Sequence, residues 1–192
     1  MDQSPTIETR YRLLPYTEQL DIRPLEQVDM LVIHCTELPD LETAREYGEK
    51  ILYPQSGTGN SGHYYIDRDG STELWIPELR VAHHVRGYNE RSVGIELVNL
   101  GRYPYWLESG RQFMQEEYPS AQIGALLNLI VDLSYHLPSL KLISGHDDLD
   151  RDFVPASNDP TKAVRRKRDP GEKFPWPEVL ADCGLVRYQP GS

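Results

Sequence analysis

A chain of 192 residues, 39% hydrophobic and 26% charged, has the size and composition of one globular domain with a core of its own. Its formal net charge of -10 excludes a sequence-independent nucleic-acid binder, which needs a basic surface to displace phosphate counterions. No stretch reaches the ~20 apolar residues of a membrane span, so no membrane partner is expected either. The start, Met1-Asp2-Gln3-Ser4-Pro5, has neither a basic cluster nor an apolar run, so a secretory signal is not expected. A cytoplasmic protein is the default, with the periplasm or secretion by an atypical route as the alternative. Cys35 and Cys183 are then expected as reduced thiols.

Residues 1–27 mix polar, proline and tyrosine residues without a period and read as an N-terminal extension. Val28 to Cys35 is the first strand, and its almost unbroken apolar run implies burial on both faces. Asp40 is placed to cap a helix over Leu41 to Leu52, with Thr43 at the third helical position. Gln55 to Gly62, rich in glycine and small polar residues, is a loop. His63-Tyr64-Tyr65-Ile66 and Glu73-Leu74-Trp75-Ile76 flank Asp67-Arg68-Asp69-Gly70 and predict a hairpin.

Ser92 to Val98 is a further strand, followed by an irregular insert over residues 99–119. Ser120 is expected to cap the longest helix, in which Ile123, Leu126, Leu127, Ile130, Val131 and Ser134 follow helical spacing up to Leu137-Pro138. Lys141 to Ser144 is the last strand. A long loop over Asp147 to Pro175 leads to a short helix, Trp176 to Cys183, stopped by Gly184. Strands interleaved with helices predict an α/β layered domain over residues 28–184, with 185–192 as a C-terminal tail.

Chemistry gathers where apolar runs break. Leu31-Val32-Ile33 ends in His34, Leu142-Ile143-Ser144-Gly145 ends in His146, and Arg166-Lys167-Arg168 leads to Asp169. Two imidazoles and one carboxylate are the donor set of a catalytic zinc site whose fourth position is left for water. Such ligands leave the metal positive enough to acidify that water to a pKa of about 7. Spacing does not decide the matter, because the compact His-Glu-x-x-His helix is absent. Taken alone, each histidine is more simply a hydrogen-bonded strand-end residue, and Asp169 before Pro170-Gly171 a turn residue.

The order of motifs says more. Val32-Ile33-His34, then Gly62-His63-Tyr64-Tyr65-Ile66-Asp67-Arg68-Asp69-Gly70, then Asn89 to Ser92-Val93-Gly94-Ile95-Glu96-Leu97, then Gly145-His146, then Lys167-Arg168-Asp169-Pro170-Gly171 and Trp176 together resemble the type-2 N-acetylmuramoyl-L-alanine amidase family. That family includes the bacterial anhydro-muropeptide amidases and the animal peptidoglycan recognition proteins. The resemblance runs from about residue 28 to 180. It implies a single α/β domain with a central mixed sheet flanked by helices, and zinc (Zn2+) held by His34, His146 and Asp169. It further implies hydrolysis of the amide between N-acetylmuramic acid and L-alanine, with peptidoglycan fragments as partners of a monomer.

By the same resemblance Glu96 is the general base, its pKa raised at the end of an apolar strand. Lys167 stabilises the oxyanion as a fixed cation. The plain alternatives are an exposed strand-end charge and membership of the solvated basic run Arg165 to Arg168, whose likeness to a nuclear signal is a chance match. His84 in Ala82-His83-His84-Val85-Arg86-Gly87 roughly answers to the Trp-His-x-Gly stretch of the anhydro-muropeptide amidases, although His83 replaces the tryptophan and one extra residue precedes the glycine. His84, Arg86 and Asn89 are assigned to the substrate side of the cleft, while His63 reads as structural and His136 as a helix-end residue. Arg86, Arg165 and Arg166 either engage a stem-peptide carboxylate or pair with Asp147, Asp148, Asp150 and Asp152. Tyr103, Tyr105 and Trp106 offer flat faces to sugar rings or pack inward. A zinc deaminase is set aside, since no His-x-Glu accompanies a Cys-x-x-Cys. The remaining alternative is a recognition module that binds peptidoglycan without cutting it.

Overall fold

A computed structural model describes residues 8–191. The first half of the chain forms β1 (Thr9–Tyr11), β2 (Met30–Cys35), α1 (Leu41–Gly48), β3 (Tyr64–Ile66), β4 (Thr72–Leu74) and β5 (Ser92–Leu97). The second half forms α2 (Ser120–His136), β6 (Leu142–Gly145), α3 (His146–Leu149), β7 (Phe153–Pro155), β8 (Ala163–Arg165), α4 (Trp176–Asp182) and β9 (Val186–Arg187). Seven strands join in the order β1-β4-β3-β5-β2-β6-β9, and β7 pairs with β8 apart from them. Only β3 and β4 run antiparallel in the large sheet. The sheet is therefore mixed, as expected.

All six residues of β2 are buried, which its apolar run requires of a strand held between two parallel neighbours. Side chains alternate across the sheet, and the two faces have different tasks. Leu31 and Ile33 of β2, with Val93, Ile95 and Leu97 of β5, pack against Ile123, Leu126, Leu129, Ile130 and Leu133 of α2 to form the main core. Met30 and Val32 point the other way and join Val85. His34 continues that second series, and the register sets it beside Glu96. The face turned away from α2 thus carries the polar residues at the carboxyl ends of the central strands, where α/β sheets bind ligands.

Several elements differ from expectation. Within residues 8–27, taken as an extension, β1 pairs with β4, and Leu14, Tyr16 and Leu20 pack with Trp75, Ile76 and Ala44 in a second core. Arg23 is buried and donates to the carbonyls of Glu78, Asn89 and Ser92. The last residues contribute β9, which pairs with β6. Asp40 caps α1 as expected, accepting from the Thr43 N–H at 2.7 Å, but the helix closes at Gly48, whose carbonyl accepts from the Tyr16 hydroxyl at 2.8 Å. Ser120 is the first residue of α2 and makes no cap; Pro119 precedes it. The buried stripe of α2 takes in Leu129 and Leu133, leaving Leu127 half-buried and Val131 exposed. The long loop after His146 contains α3 and the β7–β8 hairpin. No described helix is long and apolar enough to cross a membrane.

Candidate active site

His34 stands near the end of β2, and His146 opens α3 directly after β6. Asp169 comes from the segment after β8 and is tied to them through the backbone: the Asp147 N–H donates to the Asp169 carbonyl at 2.9 Å. Gly145 makes the approach possible, because a Cβ there would meet Asp147 Oδ1 at 2.5 Å and Pro170 Cδ at 3.0 Å. Both histidines turn Nδ1 toward one carboxylate oxygen, each 2.9 Å from Asp169 Oδ2. One donor atom from each residue lies within 4.8 Å of the others, and all three residues are buried.

Electrostatics set the protonation states. Burial works against ionisation of Asp169, but the charge and hydrogen bond of His146, the hydrogen bond from His34 and the charge of Lys167 overcome it and hold the carboxyl well below the usual range. Burial lowers His146 below the ordinary imidazole value, although Asp169 opposes this. A carboxylate and a neutral imidazole are the forms that bind a metal. Asp169 Oδ1 is buried and has no hydrogen-bond partner among the described residues, which a structure seldom tolerates without a reason. The donor set, its closeness and this orphaned oxygen all fit a divalent cation of the zinc type.

Around the cluster lies a cleft of about 720 Å³ lined by His34, His146, Asp169, Glu96, Lys167 and His84, among others. Glu96 Oε1 is 4.0 Å from His34 Nδ1. Burial raises its pKa above the ordinary carboxylate value, Asp169 adding to the effect while His34 and Lys167 oppose it. Lys167 is half-buried, and its charge acts on Glu96, Asp169 and His146 alike.

The residues assigned to the substrate side occupy different stations. His84 is turned inward, with Nδ1 2.9 Å from His34 Nε2. The Asn89 carboxamide oxygen accepts from the backbone N–H groups of His84 and Val85 at 3.1 and 2.8 Å. Arg86 is exposed at the cleft and pairs with Asp152 at 3.3 Å. Of the other arginines, Arg166 pairs with Asp150, and Arg165 donates to the carbonyls of Asp147 and Asp150, so the acidic loop holds both. His63 is structural: Nδ1 accepts the Gly94 N–H at 3.0 Å and Nε2 donates to the Arg80 carbonyl at 3.1 Å. Trp106 lines the cleft, whereas Tyr103 and Tyr105 line a separate hollow with Phe113. His136 bonds within α2, and both cysteines are free and buried.

Three residues of consequence carried no signal of their own in the sequence. Glu37 and Arg102 form a buried bidentate pair at 2.6 and 2.7 Å, and Arg102 also donates to the Arg165 carbonyl at 3.0 Å. That pair ties the insert to the segment that carries Lys167. Ser92 bonds His84. The alternation Ser92-x-Gly94-x-Glu96, which places all three on one face of β5, is the pattern that points to it.

The mixed α/β sheet that carries the His-His-Asp cluster is a fold shared with solved amidases. The N-acetylmuramoyl-L-alanine amidase LysC from Clostridium intestinale URNW superposes with a TM-score of 0.65 at 20% identity, over 94% of this chain and 99% of that one. AmiD from E. coli, solved in complex with its substrate anhydro-N-acetylmuramic acid-L-Ala-D-gamma-Glu-L-Lys, superposes with a TM-score of 0.62 at 24% identity, over 83% of this chain and 58% of AmiD. In sequence, the N-acetylmuramoyl-L-alanine amidase AmiD of Escherichia coli strain K12 is 30% identical over 189 residues, covering 87% of this chain and 59% of AmiD. Residues 24–172 match the N-acetylmuramoyl-L-alanine amidase family, and the chain belongs to that family, the type-2 group that its motifs resemble.

Proposed function

We propose that this chain is a zinc-dependent amidase that hydrolyses the bond between N-acetylmuramic acid, or its anhydro form, and L-alanine in peptidoglycan fragments. One observation carries the reading: His34 Nδ1, His146 Nδ1 and Asp169 Oδ2 converge on the floor of the cleft, with Glu96 and Lys167 lining the same cleft. His34, His146 and Asp169 would hold the zinc, which when bound supplies a Lewis acid and a water acidified toward neutral pH.

The chain's own residues do the rest. Glu96, kept partly out of water and with a raised pKa, takes a proton from the attacking water and returns it to the departing alanine nitrogen. Lys167 offers a fixed positive charge where the carbonyl oxygen becomes anionic, and the enclosure of the cleft keeps that attraction strong. Arg86, Asn60, Tyr53 and Trp106 line the outer cleft and are placed to meet the sugar and stem peptide. The likeness to AmiD, whose structure holds an anhydro-muropeptide, supports this substrate class. A pure binder would gain nothing from a base and an oxyanion cation beside a metal cluster.

The test is to incubate zinc-loaded and chelator-treated protein with anhydro-muropeptides and with intact sacculi, and to look for free stem peptide by mass spectrometry. Release that depends on zinc is expected. Binding without release would make the chain a recognition module, and the relative rates on the two substrates report the sugar form it prefers.

A further inference from the structure

An imidazole can bind a metal through Nδ1 only when its proton sits on Nε2, and the other ring nitrogen's partner usually decides this. For His34 that partner is neither a carboxylate nor a carbonyl. It is the ring of His84, whose Nδ1 lies 2.9 Å from His34 Nε2. Two imidazole nitrogens facing one another leave the direction of the bond open, because either can donate. What lies beyond His84 settles the direction.

His84 Nε2 is 3.2 Å from Ser92 Oγ, and Ser92 Oγ is 2.8 Å from the Tyr88 carbonyl, which can only accept. A hydroxyl has one proton. The shorter contact to the carbonyl takes it, so Ser92 Oγ is left as an acceptor toward His84. His84 must then carry its proton on Nε2, its Nδ1 becomes an acceptor, and the proton between the two rings belongs to His34 Nε2.

We propose that His84 is a positioning residue that locks His34 in its Nε2–H form through a one-way relay, His34 to His84 to Ser92 to the Tyr88 carbonyl. With Nε2 protonated in this way, the 2.9 Å contact between His34 Nδ1 and Asp169 Oδ2 holds either a second proton, as in the hydrogen bond that keeps Asp169 ionised, or a metal in its place. Two lone pairs so close repel each other unless a cation or a proton lies between them. A metal arriving there has only the Nδ1 proton to displace, the Nε2 proton being already committed to His84.

The surroundings are cut to fit this relay. Gly94, directly across β5 from Val32, has no side chain where a Cβ would stand 2.6 Å from His84 Nδ1 and 2.7 Å from Cγ. Glycine is needed there for the imidazole to lie flat on the strand. The backbone of His84 is pinned by the Asn89 carboxamide, and the His63 ring abuts it edge-on at 5.5 Å. Ser92, Gly94 and Glu96 share one face of β5, so a single strand carries the end of the relay, its bed and the proposed base.

This inference rests on the metal reading above, and two independent measurements separate their failures. The first is a long-range 1H–15N spectrum of the metal-free protein, with the His34 signals assigned from His34→Gln. A proton on Nε2 of His34 is expected; a His34 protonated only on Nδ1 overturns the relay, whatever the protein does with zinc. The second is zinc affinity by competition with a chelator. His84→Ala is expected to weaken binding about 10–100-fold, and Gly94→Ala to do the same by displacing the ring. His84→Asn, whose amide oxygen can accept where Nδ1 did, restores most of the loss. Ser92→Ala leaves His84 free to take either tautomer, giving a mixed His34 spectrum and intermediate affinity even if His84→Ala fails to fold. Unchanged affinity in both Ser92→Ala and Gly94→Ala overturns the relay. A wild-type chain that binds no zinc overturns the metal reading, while the spectrum alone judges the tautomer.

Discussion

Glu96 shares a register position with His34 and yet stands 4.0 Å from its Nδ1, close enough to serve the cluster without belonging to its three buried donors. Burial raises its pKa, which suits the proposed role of a base that takes up a proton and gives it back. Glu96→Gln keeps the shape and cannot accept the proton. Turnover of an anhydro-muropeptide is expected to fall by about 10²–10⁴-fold with zinc affinity nearly unchanged; a normal rate would remove Glu96 from the chemistry. At this scale the sequence was informative only through motif order. His34, His146 and Asp169 are scattered along the chain, and no local pattern joins them. The motifs placed His84 near the cleft but not its direction, because the tautomer of one ring depends on Ser92, whose polar side chain looks ordinary in a strand. Burial and distance show what residue type alone leaves open.

Elements carry the site through their ends, and the least regular element holds the strongest tie. Glu37 adopts φ 50°, a strained setting for a residue with a side chain, and its carboxylate receives the bidentate guanidinium of Arg102 with both groups buried. Its carbonyl also accepts from Trp106 Nε1 at 3.0 Å. Arg102→Met strands a buried carboxylate, so it is expected to cost about 3–5 kcal/mol in urea unfolding, whereas Glu37→Gln combined with Arg102→Met costs less. Equal costs for the single and double variants would show that the pair is not coupled. The insert over 99–119 reads as irregular because it contains no repeating element and is organised by separate ion pairs, Glu37 with Arg102, Arg68 with Glu116 and Lys173 with Glu117. The hydrophobic run of β2 and the period of α2 were legible because packing on a sheet imposes them. β1, β7, β8 and β9, each two or three residues long, are too short to show a period. The N-terminal segment shows no period for the same reason, since its described part is held by single buried side chains such as Tyr16 rather than by a pattern.

Those buried phenols act on the molecule as a whole. Tyr16, Tyr64 and Tyr65 all have pKa values raised by burial above the ordinary tyrosine value. The unfolded chain ionises them from about pH 10 while the folded chain keeps them neutral. Their contribution is therefore complete below pH 10 and is lost as pH rises beyond it, at about 1.4 kcal/mol per pH unit for each phenol. The urea midpoint should fall between pH 9 and 11, and Tyr16→Phe, though about 1 kcal/mol less stable from losing its bond to Gly48, should fall less steeply. Parallel slopes would show that Tyr16 ionises in the folded protein. Zinc acts in the opposite sense. The three residues proposed to hold it come from β2, from the start of α3 and from the segment after β8, so one cation would join parts of the chain that are remote in sequence, in a protein of net charge -10. Because the unfolded chain cannot present the three together, binding free energy becomes folding free energy. Zinc at 100 times its dissociation constant adds about 2.7 kcal/mol, which for a domain of this length raises the melting temperature by about 5–11 °C. Magnesium, which prefers oxygen ligands, should leave the melting temperature unchanged at the same concentration. Asp169→Asn should abolish most of the zinc shift. A melting temperature indifferent to zinc, or raised equally by magnesium, would show that His34, His146 and Asp169 do not form a site for a soft divalent ion.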